Sequence, residues 1–242
     1  MELLLLELNG LKASSELPVV NLLIAGLPLS ERDALLARCE TIKLTFGDVL
    51  CTHNQPYAHA HFPSTASISL LASVKGHPPM ITGMIGHEGM LGVSLLLALD
   101  TAPQDAIVQG PGLALRITGN ALRELLPSSP VLLHSLQRYY FRLITQSTQT
   151  TACARSHPVE ARLARCLLMS HDRAHSDYFH LTHQVLADML GVRRSAVTIA
   201  SGILKHSGLI DYSRGKIRIL DRAGLEAAAC ECYAVERLPV AS

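Results

Sequence analysis

The sequence contains no tryptophan, and aromatic residues make up only 4% of its 242 positions. Charge is also scarce. Asp, Glu, Lys and Arg together reach 17%, and the formal net charge is +1. A chain this weakly charged, with 48% hydrophobic residues, is neither an evenly basic nucleic-acid coat nor a disordered polyelectrolyte. Long apolar runs are missing as well. The longest, Leu3–Leu6 and Met90–Leu99, fall well short of the roughly 20 residues that span a bilayer. The N-terminus carries Glu2 and Glu7 where a secretory signal carries Lys or Arg, and no small-residue cleavage pattern follows. The six cysteines are scattered, with none before Cys39, so reduced thiols are expected rather than a disulfide framework. These absences predict a soluble, cytoplasmic protein without a membrane partner, long enough for two domains.

The small net charge hides an asymmetry. Between His157 and Arg222 there are ten Lys or Arg against six Asp or Glu, a surplus of four. The rest of the chain carries a deficit of three. A basic C-terminal module on a mildly acidic body predicts that one part alone meets a polyanion.

Periodicity divides the chain further. Val19–Ala25 and Ser30–Arg38 read as short helices around Pro28, with Ser30 as the expected N-cap. From Cys39 to about Ile117, short apolar runs alternate with Gly, Pro, Asn and His. They are Thr41–Leu44, Val49–Cys51, Ile68–Val74, Met80–Ile85, Ala106–Val108 and Leu113–Ile117. Short strands at this spacing predict an antiparallel β-sandwich or roll. After Pro127-Ser128-Ser129-Pro130 no Pro or Gly occurs until Pro158, which predicts one long helix. Its apolar stripe, with Leu132, Leu136, Tyr140 and Leu143 widened by Leu133, Phe141 and Ile144 and followed by Ser147, is the expected seam for a second copy. A compact helix over Val159–His171 comes next.

Residues 181–209 carry the strongest signal. Thr182 is a good N-cap for a helix ending at Leu190, with Val185, Leu186 and Met189 on its apolar side. Small Ala187 allows a close crossing, and Gly191 supplies the left-handed position of a sharp turn. A second helix then places Val197, Ala200, Ser201 and Leu204 on one face and ends at Gly208. This is the pattern of a helix-turn-helix. The start of its second helix offers Arg193, Arg194, Ser195 and Thr198, side chains able to read base edges or hold phosphates. Thr182, His183 and Gln184, at the start of the first helix, are further candidate DNA contacts. Leu209–Tyr212 and Lys216–Leu220 read as a hairpin with one apolar and one basic face. Arg214, Lys216 and Arg218 on it would hold phosphates.

Taken together, the chain resembles the Crp/Fnr superfamily of bacterial transcription regulators from about Val20 to its end. The resemblance is carried by Gly86-His87-Glu88-Gly89-Met90-Leu91-Gly92, by Met189-Leu190-Gly191-Val192-Arg193-Arg194 and by the tail Cys230-Glu231-Cys232-Tyr233-Ala234-Val235. It implies an α+β fold: an N-terminal jelly-roll-like antiparallel β-roll of the cyclic-nucleotide-binding type, a long dimerisation helix and a C-terminal winged helix-turn-helix. The corresponding segments are an N-terminal extension over 1–18, a roll over 19–127, the helix over 128–156, the DNA-binding domain over 157–222 and a tail over 223–242. The implied partners are double-stranded DNA with a partly palindromic operator, a second copy of the chain, and RNA polymerase. Two recognition helices would lie about 34 Å apart.

The departures from the family pattern concern the effector. Cyclic-nucleotide-binding members place a Glu where this chain has Val93, and an Arg where it has Gln104 beside Asp105. Without that guanidinium the phosphate clamp is lost, and Asp105 would add repulsion, so cyclic AMP is not the expected ligand. No cysteine cluster precedes Cys39 to hold the iron–sulfur centre of the oxygen-sensing members. The effector stays unassigned, and no cofactor is expected. A competing reading is a cupin-like metalloenzyme using His59 and His61, although Ser64, Thr65 and Ala66 stand where its carboxylate would follow. His87-Glu88 lacks the second His of a zinc protease, since Leu91 occupies that place. His171 with His175 and His180 with His183 lack an evident third ligand. Cys230-x-Cys232 has no basic neighbour to activate it. No metal site and no enzymatic activity are expected from these.

Overall fold

The structure is a computed structural model that describes residues 21–76, 79–174, 178–213 and 215–237. The expected extension over 1–18, the His77-Pro78 turn, His175 and Arg214 lie outside the described residues.

Two short helices open the fold, α1 (Leu22–Ala25) and α2 (Leu29–Leu36). Asn21 caps α1 by accepting a hydrogen bond from the Leu23 N–H. The cap of α2 is Pro28 rather than Ser30. Proline suits this extended position because its fixed φ leads directly into the helix.

Seven strands follow: β1 (Glu40–Leu44), β2 (Val49–Cys51), β3 (His59–Pro63), β4 (Ser67–Ala72), β5 (Met80–Ile85), β6 (Asp105–Gly110) and β7 (Gly112–Thr118). They form two antiparallel sheets, ordered β1-β7-β3 and β2-β6-β4-β5. This is the expected roll. Its one strand without a sequence signal is β3, where two His and a Pro stand in place of an apolar alternation. The Met90–Leu99 run contains a 3₁₀ helix over Val93–Leu97.

After α3 (Gly119–Leu125), the long helix α4 spans Pro130–Ser156 as one element. Its two faces differ in burial. Leu132 and Leu136 are fully buried in the chain's own roll core, next to Phe62, Ile85 and Met90. Tyr140 and Leu143 pack against that core, and Ser147 lines a cavity beside it. Leu132 and Leu136 therefore close the roll, while Tyr140, Leu143 and Ser147 remain half-buried. On its outer side Gln137, Phe141, Ile144, Thr148 and Thr151 are exposed, with Phe141 at 67% and Ile144, at the edge of the same cavity, at 47%.

The C-terminal unit comprises α5 (Val159–Ala174), β8 (Tyr178–His180), α6 (His183–Leu190), α7 (Arg194–His206), β9 (Ile210–Ser213), β10 (Lys216–Ile219), α8 (Arg222–Ala228) and α9 (Cys232–Arg237). The expected hairpin gains a third strand, because β10 pairs with β8 on its other edge. Leu225 and Tyr233, from the stretch read as a tail, are buried with α5, α6 and α7 in one core. Ile81 and Met84 of β5 belong to the same core, so the roll and the helical unit share apolar surface. Among the described residues no helix is long and apolar enough to cross a membrane.

Candidate nucleic-acid interface

The turn between α6 and α7 is built as its sequence requires. The Thr182 hydroxyl accepts from the Val185 N–H at 3.2 Å, which starts α6. Gly191 has φ +62°, a left-handed value that costs a side-chain-bearing residue about 1–2 kcal/mol. Val192 N–H donates to the Ala187 carbonyl at 3.0 Å and closes the turn. On the inner face of α7, Val197, Ala200, Ser201 and Leu204 are buried against α5 and α6. Fixing that face leaves the opposite one in solvent.

Arg193, Arg194, Ser195 and Thr198 all lie on the exposed side, together at the N-terminal end of α7. Arg193 is the N-cap residue and makes no capping hydrogen bond with its side chain. Among the described residues neither Arg193 nor Arg194 pairs with a carboxylate. Two cations at the positive end of a helix dipole repel it and one another, an arrangement that an incoming phosphate or base acceptor relieves. Ile199, 64% exposed, and Ile203, 46% exposed, extend the same face with apolar surface.

The start of α6 is committed differently. The His183 ring stacks on Tyr212 with centroids 4.3 Å apart, and its Nδ1 stands 3.0 Å from Thr198 Oγ1. Thr198 Oγ1 also donates to the Arg194 carbonyl. Burial, aided by the Arg194 charge, holds His183 below its ordinary pKa and so neutral. His183 thus lies between Tyr212 of the wing and Thr198 of α7. The Gln184 amide donates to Asp188 Oδ1 at 2.8 Å on the exposed surface.

In the wing, Ile217 is buried and Ile219 half-buried, while Lys216 and Arg218 project to solvent. Arg218 lies over the Tyr178 ring at 5.4 Å, held by β8. Lys205 of α7 donates to Asp211 Oδ1 at 2.8 Å and to the Tyr212 carbonyl at 3.1 Å, which fixes the wing to the helix. α7 and β10 thus each present exposed cations, Arg193 and Arg194 on the helix and Lys216 and Arg218 on the strand.

Residues 161–228 match the family described as the Crp-like helix-turn-helix domain. The chain has the Crp/Fnr fold and carries a Crp-like helix-turn-helix domain. Among solved structures, FixK2 from Bradyrhizobium japonicum superposes with a TM-score of 0.68 at 12% identity, covering 79% of this chain and 98% of that one. The c-di-GMP responsive global regulator CLP of Xanthomonas campestris gives 0.65 at 15%, with 79% and 99% covered. A CRP/FNR-family transcriptional regulator from Thermus thermophilus gives 0.64 at 22%, with 78% and 98% covered. No curated protein matches the chain.

The roll of this Crp/Fnr-type chain holds a cavity of about 240 Å³ against α4. Its lining is mainly apolar, including Leu70, Ile85, Met90, Val93 and Leu143, with Thr82, Ser94, Thr101, Gln104, Gln146 and Ser147 as polar members. Thr82 Oγ1 donates to Gln104 Oε1 at 2.9 Å. Asp105 faces elsewhere, accepting from the His53 N–H at 2.8 Å, and adds no repulsion inside the cavity. The lining contains no Arg or Lys.

His59 and His61 share one face of β3 with ring centroids 6.2 Å apart. His61 is buried and its pKa is lowered to about 4, first by burial and then by His59 and Arg116. No third ligand joins them among the described residues. The cupin-like reading therefore gains no support.

Proposed function

We propose that this chain is a homodimeric, sequence-specific DNA-binding regulator of transcription. The observation that carries the reading is the exposed, carboxylate-free pair Arg193 and Arg194 at the start of a helix whose inner face is fixed by α5 and α6. Arg194, Ser195 and Thr198 would address base edges in the major groove, and Arg193 with Lys216 and Arg218 would hold phosphates. Arg214, in the wing turn, belongs to the same phosphate-binding set by its sequence position. Thr182 and His183 act as positioning residues for this surface, and the exposed Gln184 would approach the backbone of DNA.

The second copy would meet α4 along Gln137, Phe141, Ile144, Thr148 and Thr151. Their spacing alternates between four and three residues, which keeps one seam facing a partner helix. A two-fold axis there would present two recognition helices to a partly palindromic operator. The roll cavity offers an apolar effector-sized volume without a phosphate clamp, so cyclic nucleotides fit it poorly. RNA polymerase is the natural further partner of such a regulator in the cytoplasm.

Selection of bound sites from random double-stranded DNA, at stated salt, tests the reading. Recovery of a half-site repeated with two-fold symmetry is the expected result. Enrichment of no sequence above background would overturn it.

A further inference from the structure

Three cysteines and a histidine from two distant stretches of chain meet where α4 ends. Cys153 sits in the last turn of α4, and His157 follows that helix in an extended conformation. Cys230 and Cys232 flank Glu231 just before and at the start of α9. The Cys153 and Cys230 sulfurs are 3.5 Å apart although 77 residues separate them, and Cys232 Sγ lies 3.6 Å from His157 Nδ1. All four ligand atoms fall within 4.8 Å of one another. Two thiolates on a tetrahedral zinc, with bonds of about 2.3 Å, stand about 3.8 Å apart. The cluster thus has the dimensions of a four-coordinate site.

The surroundings favour a metal over a chance meeting of thiols. His157 Nε2 is 3.0 Å from Glu231 Oε1, which draws the ring proton to that nitrogen and leaves Nδ1 bare toward the sulfurs. Gln149 Nε2 donates to Cys232 Sγ at 2.9 Å. The buried guanidinium groups of Arg162 and Arg165 on α5 lie within electrostatic reach of Cys153. They more than offset the single negative charge that three thiolates and one divalent cation leave. Three soft sulfurs and an imidazole exclude calcium and magnesium, which take oxygen ligands.

We propose that Cys153, His157, Cys230 and Cys232 form a tetrahedral binding site for zinc. The metal would staple the C-terminal helix to the end of the long helix. Arg222 and Tyr233 both bond Asp172 of α5, so a clamp on α9 would also steady the DNA-binding unit against α4. A Cys153–Cys230 disulfide is the competing chemistry, and it would leave Cys232 and His157 without a ligand to share.

The test uses the full-length chain, reduced and stripped by a chelator, then titrated with Co²⁺. One equivalent per chain is expected, with the strong visible bands of tetrahedral, thiolate-bound cobalt that Zn²⁺ then bleaches. Cys230→Ser and Cys232→Ser should each abolish those bands, whereas Cys39→Ser should leave them intact. Glu231→Gln should keep the bands and weaken zinc binding about tenfold. Absence of stoichiometric uptake, octahedral cobalt, or bands that survive Cys230→Ser would overturn the site. So would a Cys153–Cys230 disulfide forming in preference to metal uptake. If the serine variants do not fold, X-ray absorption of the zinc-loaded wild type decides. Three sulfurs and one nitrogen support the site, and an oxygen shell refutes it. Metal uptake is read without DNA, so its failure leaves the regulator reading untouched.

Discussion

Glu88 Oε1, in the roll, accepts a hydrogen bond from Arg173 Nε of α5 at 2.8 Å and forms an ion pair with its Nη2 at 2.7 Å. Both side chains are almost enclosed, at 14% and 8% exposure. Gly89 beside them approaches Tyr139 of α4 so closely that an added Cβ would fall 2.3 Å from its hydroxyl. The Gly86-to-Gly92 turn therefore touches the long helix through Gly89 and the C-terminal helical unit through Glu88.

Removing one partner leaves the other charge buried and unpaired. Glu88→Gln or Arg173→Met should each destabilise the chain by about 3–5 kcal/mol, and the double variant should recover part of that loss. Chemical denaturation of the three variants checks this. Equal and additive losses would show that the pair does not interact.

The same pair sets an acid limit. Burial alone would raise the Glu88 pKa, but Arg173 and the backbone N–H of Gly86 outweigh it and hold the carboxyl below its ordinary range. Its stabilising contribution is then complete above the unfolded pKa and disappears as pH falls through the lower folded value. Thermal unfolding followed from neutral to acidic pH should show this loss in the wild type and a smaller one in Glu88→Gln.

Gly191→Ala forces a side chain into the left-handed region, with its Cβ 3.2 Å from Met80 Sδ of β5. A loss of about 1–2 kcal/mol is expected from the backbone alone. Gly191→Asn should cost less, because asparagine tolerates this conformation. Melting temperatures of the two variants give the order directly.

On cognate DNA, Arg194→Ala should cost about 1–3 kcal/mol and relax the preference at one base position. Lys216→Ala should weaken all sequences alike and reduce the salt slope by about 1. Binding isotherms on cognate and scrambled DNA at several salt concentrations separate the two roles. A uniform effect of Arg194→Ala would place that side chain on phosphate.

The outward stripe of α4 separates assembly from folding. Phe141→Glu combined with Ile144→Glu should give a folded monomer, since both side chains are exposed in the single chain. Leu136→Ala should instead destabilise the roll by about 2–5 kcal/mol, because the residue is fully buried there. Sedimentation together with thermal denaturation distinguishes these outcomes.

The local features were legible in the residues themselves. Thr182, Gly191 and the apolar spacing of α7 encode a turn and a buried face within 25 residues, and the cationic side chains follow on the opposite face by helical geometry alone. The alternation of Ile217 and Ile219 with Lys216 and Arg218 encodes the wing in the same way. On α4 this logic reached its limit. Two apolar stripes share one helix, and periodicity cannot say which belongs to the roll. Only the packed core showed that Leu132 and Leu136 turn inward and that Phe141 turns out. The Glu88–Arg173 pair and the Cys153–Cys230 contact likewise join residues 85 and 77 positions apart. Most helices and strands and their polar faces could be read in advance because they depend on neighbours one to four residues away, although β3, β8, α8 and α9 were not. The meeting of distant side chains could not, because it follows from how the roll and the helical unit bury their apolar surfaces together, and whatever lies beside those surfaces is brought into contact with them.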